Sequence, residues 1–204
     1  MDATRAPGIR SGIRIEVITI VWMVVEMALS IAAGIAAHSL LLTAFGMDSL
    51  IELISGGILL WRLRVESRGG DLESINQAER RAAWVVAFSL GLLSAYVLIS
   101  SVYGLISSSR PESSIIGIGV SAAAILIMPY LAITKRSISK RIKSEALAGD
   151  ATNSITCAYM AGTVLVGLGL NMLFGWWWVE YAAALLFLFW LVRETREAFD
   201  EART

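Results

Sequence analysis

The chain has little of what most active sites are built from. Its 204 residues include one cysteine, Cys157, and one histidine, His38. A single cysteine excludes an internal disulfide. A single histidine leaves no zinc-peptidase helix motif, and no convincing pairing of nucleophile and base appears elsewhere. The sequence therefore reads as a non-enzyme. Formal net charge is zero, so there is no electrostatic footprint for a polyanion, and no nucleic-acid partner is expected. No short apolar core with a small-residue cleavage site opens the chain, so no removable signal peptide is expected. No alternating ten-residue barrel pattern is present either.

What is abundant is apolar surface: 56% of the residues are hydrophobic, gathered into long runs. Six runs are long enough, or nearly so, to cross about 30 Å of hydrocarbon: Ile13–Ala37, Leu40–Leu63, Ala82–Ile106, Ile115–Thr134, Ala146–Leu173 and Trp176–Val192. A backbone in lipid must satisfy its own hydrogen bonds, so these runs are expected to be helices. The expected fold is an all-α integral membrane protein with six transmembrane helices. It divides into an N-terminal segment (1–12), a membrane domain (13–192) and a short tail (193–204), with no soluble C-terminal domain. All basic residues except Arg110 fall on one side of this topology. The positive-inside rule then places both termini in the cytoplasm. For a bacterial chain the location would be the inner membrane. The turns on the outer side are short, and the inner connectors, including Arg64 to Gln77 with Gly69-Gly70, read as longer and solvated. The cluster from Lys135 to Lys143 reads as an orientation signal on an inner loop, with anionic-lipid contact as a secondary role. Trp176, Trp177 and Trp178 read as an aromatic belt, and His38 as an interfacial bystander.

Two carboxylates break the second run. Asp48 and Glu52 are four residues apart and share one helix face. Each costs about 2.5–3.5 kcal/mol at mid-membrane, so each is expected to have a partner or a task. Two hard oxygen ligands on one face make half of a cation site. In the fifth run, Asp150, Asn153 and Cys157 form one stripe. Counted from the outer turns, Glu52 and Cys157 reach similar depths, about 20 Å in at 1.5 Å per residue. Two ligands from each helix would make a four-coordinate site of Asp48, Glu52, Asn153 and Cys157, with Asp150 as a vestibule charge nearer the cytoplasm. Each residue also has a plainer reading. The acids could belong to a structural network, Asn153 to an interhelical hydrogen bond, and Cys157 to the packed core. Glu26, in mid-span of the first run, reads equally as a proton carrier or added ligand and as a structural hydrogen-bonding group.

The stretches Ala44-Phe-Gly-Met-Asp-Ser-Leu-Ile-Glu and Ser144-Glu-Ala-Leu-Ala-Gly-Asp-Ala-Thr-Asn-Ser-Ile-Thr-Cys resemble the cation diffusion facilitator family of divalent-metal transporters. The resemblance covers the six spans. It implies a cation-efflux-like bundle in which two acids of the second helix map onto Asp48 and Glu52. A His or Asp and a following Asp of the fifth helix map onto Asn153 and Cys157, and an upstream Asp onto Asp150. Asn and Cys in those places remove any His-containing zinc site and mix a neutral oxygen with a soft sulfur. Zinc, manganese, iron and cobalt all stay open as substrates, and no permanently bound cofactor is implied.

The function expected from these residues is a secondary transporter. It would move divalent metal ions out of the cytoplasm, in exchange for protons, through a site between the second and fifth helices. The alternative is a non-transporting membrane subunit or metal sensor that keeps the fold. The expected partners are divalent metal ions, protons and the lipid bilayer. The resemblance also implies a homodimer.

Overall fold

The computed structural model describes residues 5–68 and 72–203. Side-chain surroundings within the helices are described except at 5, 6, 72–83, 86, 145 and 201–203. The chain forms six α-helices: α1 (Arg5–Ala36), α2 (Leu40–Ser67), α3 (Leu72–Ser107), α4 (Ile115–Ile142), α5 (Glu145–Phe174) and α6 (Trp177–Arg203). No strand occurs among the described residues. Every helix except α6 carries a stretch long and apolar enough to cross a membrane. In α6 the charge-free stretch runs only from Tyr181 to Val192.

The helices outrun the apolar spans on the polar side. α2 continues to Ser67 and α4 to Ile142, so the inner turn between α4 and α5 is only Lys143 and Ser144. The expected long inner loops are thus largely helical, because charged residues outside the hydrocarbon still form good helix. In particular, Lys135 does not lie on a loop. It is fully buried within α4. Gly69 and Gly70 of the expected connector lie outside the described residues, as do residues 1–4.

Polar caps fix the helix ends. The hydroxyls of Ser39, Ser114 and Ser144 accept from the backbone N–H groups of Leu42, Gly117 and Leu147 at the starts of α2, α4 and α5. Gly175 ends α5 in a left-handed conformation at φ 66°. The turns after α1, α3 and α5, gathered at one end of the bundle, are also lashed together. The Glu112 N–H donates to the Ala37 carbonyl, the Asn171 side chain to the Pro111 carbonyl, and the Tyr181 hydroxyl to the Ser109 carbonyl.

α1 packs along α2 and α4 along α5, and contacts of α1 with α4 and of α2 with α5 close these four into a bundle. α3 and α6 form a third pair beside it, against α2 and α5. The main core joins Leu41, Leu42 and Phe45 to Met128, Met160, Leu168 and Phe187. A smaller cluster, Ile9, Leu59, Leu63, Ile142 and Leu147, packs at the end of the bundle where α1 begins. On the outside, Leu92, Ile99, Tyr103 and Ile106 make an exposed stripe along α3. Such a stripe on a helical chain faces lipid.

α1 and α2 approach closely at Gly46. A Cβ there would lie 2.7 Å from Ile31 Cγ1 and 2.9 Å from the Ile31 backbone nitrogen. Gly46→Ala is therefore expected to destabilise the bundle by about 1–3 kcal/mol through overpacking. Gly57→Ala meets nothing within 4 Å and is expected to be neutral or to stabilise by up to about 1 kcal/mol. Thermal unfolding in detergent distinguishes them, and equal effects would contradict the packing assigned here.

Candidate metal centre

Asp48 and Glu52 sit in the middle of α2 because Ser39 caps its start and the apolar residues around them are held in the core. Asp48 is fully buried. None of the four carboxylate oxygens of Asp48 and Glu52 has a hydrogen-bond partner. Buried charge left in this way is strongly unfavourable, and proteins resolve it with a proton, a counter-ion or a metal.

Three further helices bring polar groups to the same region. Glu26 of α1 is fully buried. Its Oε1 accepts from the Ser49 hydroxyl of α2 at 2.8 Å and from the Cys157 thiol of α5 at 3.5 Å. Its Oε2 has no partner. Cys157 is fully buried. Glu26 is thus a node that ties α1, α2 and α5 together directly beside the two acids. Glu194 of α6 adds its charge to the field at Asp48 and Glu52, and its own Oε1 is buried without a partner.

A small cavity opens next to Glu52. Its walls are Thr19 and Met23 of α1, Glu52 of α2, Met128 of α4, and Asp150, Asn153 and Ser154 of α5. Glu52 and Asn153 therefore border one space, with Asp150 on its wall. Asn153 is exposed. Cys157 instead turns to Glu26. Asp150 is not a free vestibule charge, for it accepts a hydrogen bond from the Lys135 ammonium. Among the described residues, no three His, Cys, Asp or Glu side chains are gathered closely enough to hold one ion in this conformation. His38 is exposed, with φ 52° at the outer turn. Of the aromatic belt, Trp176 and Trp178 are exposed and stacked at 6.2 Å.

Sequence reasoning passed over Lys135 and Glu194, and also Glu16 of α1, which is fully buried. Lys135 was hidden by its place in a basic run, although it falls on the buried stripe of Ala124, Met128, Leu131 and Ala132 in α4. Glu194 was hidden in a polar tail. The buried positions Ala184, Phe187 and Leu191 continue onto it at helical spacing, and that periodicity was the available signal.

Comparison with known proteins bears on this arrangement. Residues 17–203 match the cation efflux transmembrane domain. The manganese efflux system protein MneS of Bacillus subtilis is 21% identical over 188 residues, covering 91% of this chain and 64% of that protein. A transporter of Synechocystis is 25% identical over 166 residues, covering 78% and 52% respectively. The cation-efflux pump FieF of Salmonella arizonae is 24% identical over 133 residues, covering 64% and 44%. The chain thus spans roughly half the length of these relatives.

Ser49→Ala removes the shorter of the two bonds to Glu26 Oε1 and leaves more of a buried carboxylate unsatisfied. It is expected to cost about 1–3 kcal/mol. The check is thermal unfolding in detergent at neutral pH. A loss below a few tenths of a kcal/mol would show that Glu26 is not held through this bond.

Proposed function

The chain belongs to the cation efflux family, and from that premise we propose that it carries divalent metal ions out of the cytoplasm in exchange for protons. The metal would bind between α2 and α5, with Asp48 and Glu52 as the anionic ligands. Asn153 and Cys157 complete its shell after side-chain rearrangement, and Glu26 is the nearest additional acid. One observation carries this proposal: the carboxylates of Asp48 and Glu52 are deep in the bundle with no hydrogen-bond partner, and Glu52 borders a cavity shared with Asn153.

The chemistry follows from competition. A carboxylate must be deprotonated to ligate a metal, so protons and metal exclude each other at the same oxygens. Protons arriving from the outer side would discharge the ion there, and deprotonation on the inner side would restore the site. Of the glycines from 162 to 169, Gly167 alone sits at a close approach, where a Cβ would lie 2.7 Å from Leu41 Cδ2 and 2.9 Å from Ala183 Cβ; Gly162 and Gly169 meet nothing within 4 Å, so the close packing that a rocking motion needs is at Gly167. The carboxylates and the Asn153 oxygen suit a hard ion such as Mn2+ while the Cys157 sulfur suits a softer one, and MneS is named for manganese efflux. Mn2+ is therefore the first substrate to test, ahead of zinc, iron and cobalt. Six crossings with both termini in the cytoplasm of a bacterial inner membrane, and assembly as a homodimer, belong to the same proposal.

One observation favours a second reading, a non-transporting subunit or sensor. Cys157 is engaged by Glu26 rather than turned to the cavity, and Asn153 brings no charge. Transport assays separate the two.

In proteoliposomes, Asp48→Asn and Glu52→Gln are expected to lower Mn2+ flux by about a hundredfold or more, as loss of an anionic ligand or its support does at metal sites. Unchanged flux in both variants would reject the mechanism. Wild-type Mn2+ affinity is expected to rise about tenfold per pH unit for each proton displaced. A pH-independent affinity measured by isothermal titration would separate metal binding from proton release.

A further inference from the structure

The inner half of the bundle holds a charged group that the central site does not use. Glu16 of α1, Lys135 of α4 and Asp150 of α5 converge there. Both Glu16 and Lys135 are fully buried. The Lys135 ammonium lies 3.1 Å from Glu16 Oε2 and donates to Asp150 Oδ2. Glu16 Oε1 has no hydrogen-bond partner. It points at α2, where a Cβ on Gly56 would meet it at 2.9 Å. Gly56 is one helical turn from Glu52, so the group reaches from Asp150 on the cavity wall back towards the helix that carries Glu52. Beside it lies the apolar cluster of Ile9, Leu59, Leu63, Ile142 and Leu147.

When both carboxylates are ionised, the single ammonium between them leaves a negative charge over. A monovalent cation does not neutralise them and a divalent one does. The lysine is also the one partner here that can leave. Its charge sits on a flexible four-carbon stem, whereas the carboxylates are on short side chains of two packed helices. We propose that Glu16 and Asp150 form a second divalent-cation site at the inner mouth of the cavity, which the Lys135 ammonium occupies in this conformation as a built-in substitute ion. A metal ion reaches Glu52 by displacing that ammonium, and the lysine returns once the ion has moved on to Glu52. The second half of this statement rests on the transport reading above. The existence of the second site does not.

The test uses the full chain in lipid nanodiscs and Mn2+ alone, with free Mn2+ followed by electron paramagnetic resonance. Lys135→Gln is expected to bind one Mn2+ per chain more than the wild type under the same conditions. The extra ion is expected to persist when Lys135→Gln is combined with Asp48→Asn and Glu52→Gln, and to vanish when it is combined with Glu16→Gln and Asp150→Asn. A folded Lys135→Gln protein that gains no ion overturns the proposal. Retention of the extra ion without Glu16 and Asp150 overturns it equally. Should Lys135→Gln not fold, Glu16→Gln serves, since it keeps the lysine and one partner. It is expected to slow Mn2+ transport from the inner side by about tenfold, the effect of a lost steering charge, with no change in Mn2+ affinity at the central site. Lower stability with unchanged transport per folded chain would mark the group as a structural tie and overturn the proposal. Failure of the central-site reading shows separately, as unchanged flux on loss of Asp48 and Glu52.

Discussion

The bundle is arranged around negative charge taken out of water and left incompletely matched. Asp48, Glu52, Glu26 and Glu16 contribute buried carboxylate oxygens that no hydrogen bond satisfies. A sequence that merely had to fold would replace them with apolar residues, which are often as stable or more so at such positions. Their persistence is explained if a cation or a proton is the missing partner for part of the cycle. The remaining features serve that constraint. Caps hold α2 and α5 at fixed depths, and Gly46 lets α1 lie close enough for Glu26 to reach both neighbours.

The two halves of the bundle handle charge differently. Towards the turn at His38-Ser39, apolar packing around Leu41, Leu42, Phe45 and Leu168 and the lashed turns leave little room for an ion. On the inner side the polar groups continue, from Glu52 through the cavity to Asp150 and Lys135. Under the proposed transport reading, this series of acids, two of which share the Lys135 ammonium, gives a divalent ion a polar route to Glu52. Replacing the Lys135 ammonium by a doubly charged ion improves neutralisation when both of its carboxylates are ionised, and under the proposal this makes the entry selective for charge.

Much of the fold was legible because the bilayer imposes a simple rule on sequence: long apolar runs, separated by turns, with basic residues on one side. The turn at His38-Ser39 and the end of α5 near Gly175 fall where the sequence places them. The helix extensions were less legible, because a charged stretch such as Arg64 to Ser67 reads as solvated whether it is helical or not. At the site, Asp48 and Glu52 stood out because charge is rare in hydrocarbon, and Glu26 for the same reason. That Glu26 would bond Ser49 and Cys157 was not legible, since the rotation of α1 about its axis depends on packing at Ile31 and Gly46. Lys135 and Glu194 were masked by neighbours of their own kind, and only the spacing of buried residues around them sets them apart.

The most direct measurement is anomalous X-ray scattering from crystals of the full chain soaked in Mn2+. The account expects a strong peak between α2 and α5, within about 2.0–2.6 Å of carboxylate oxygens of both Asp48 and Glu52, the range of hard-cation ligation. An ordered Mn2+ bound away from both residues, with their carboxylates still facing only the protein, would contradict it.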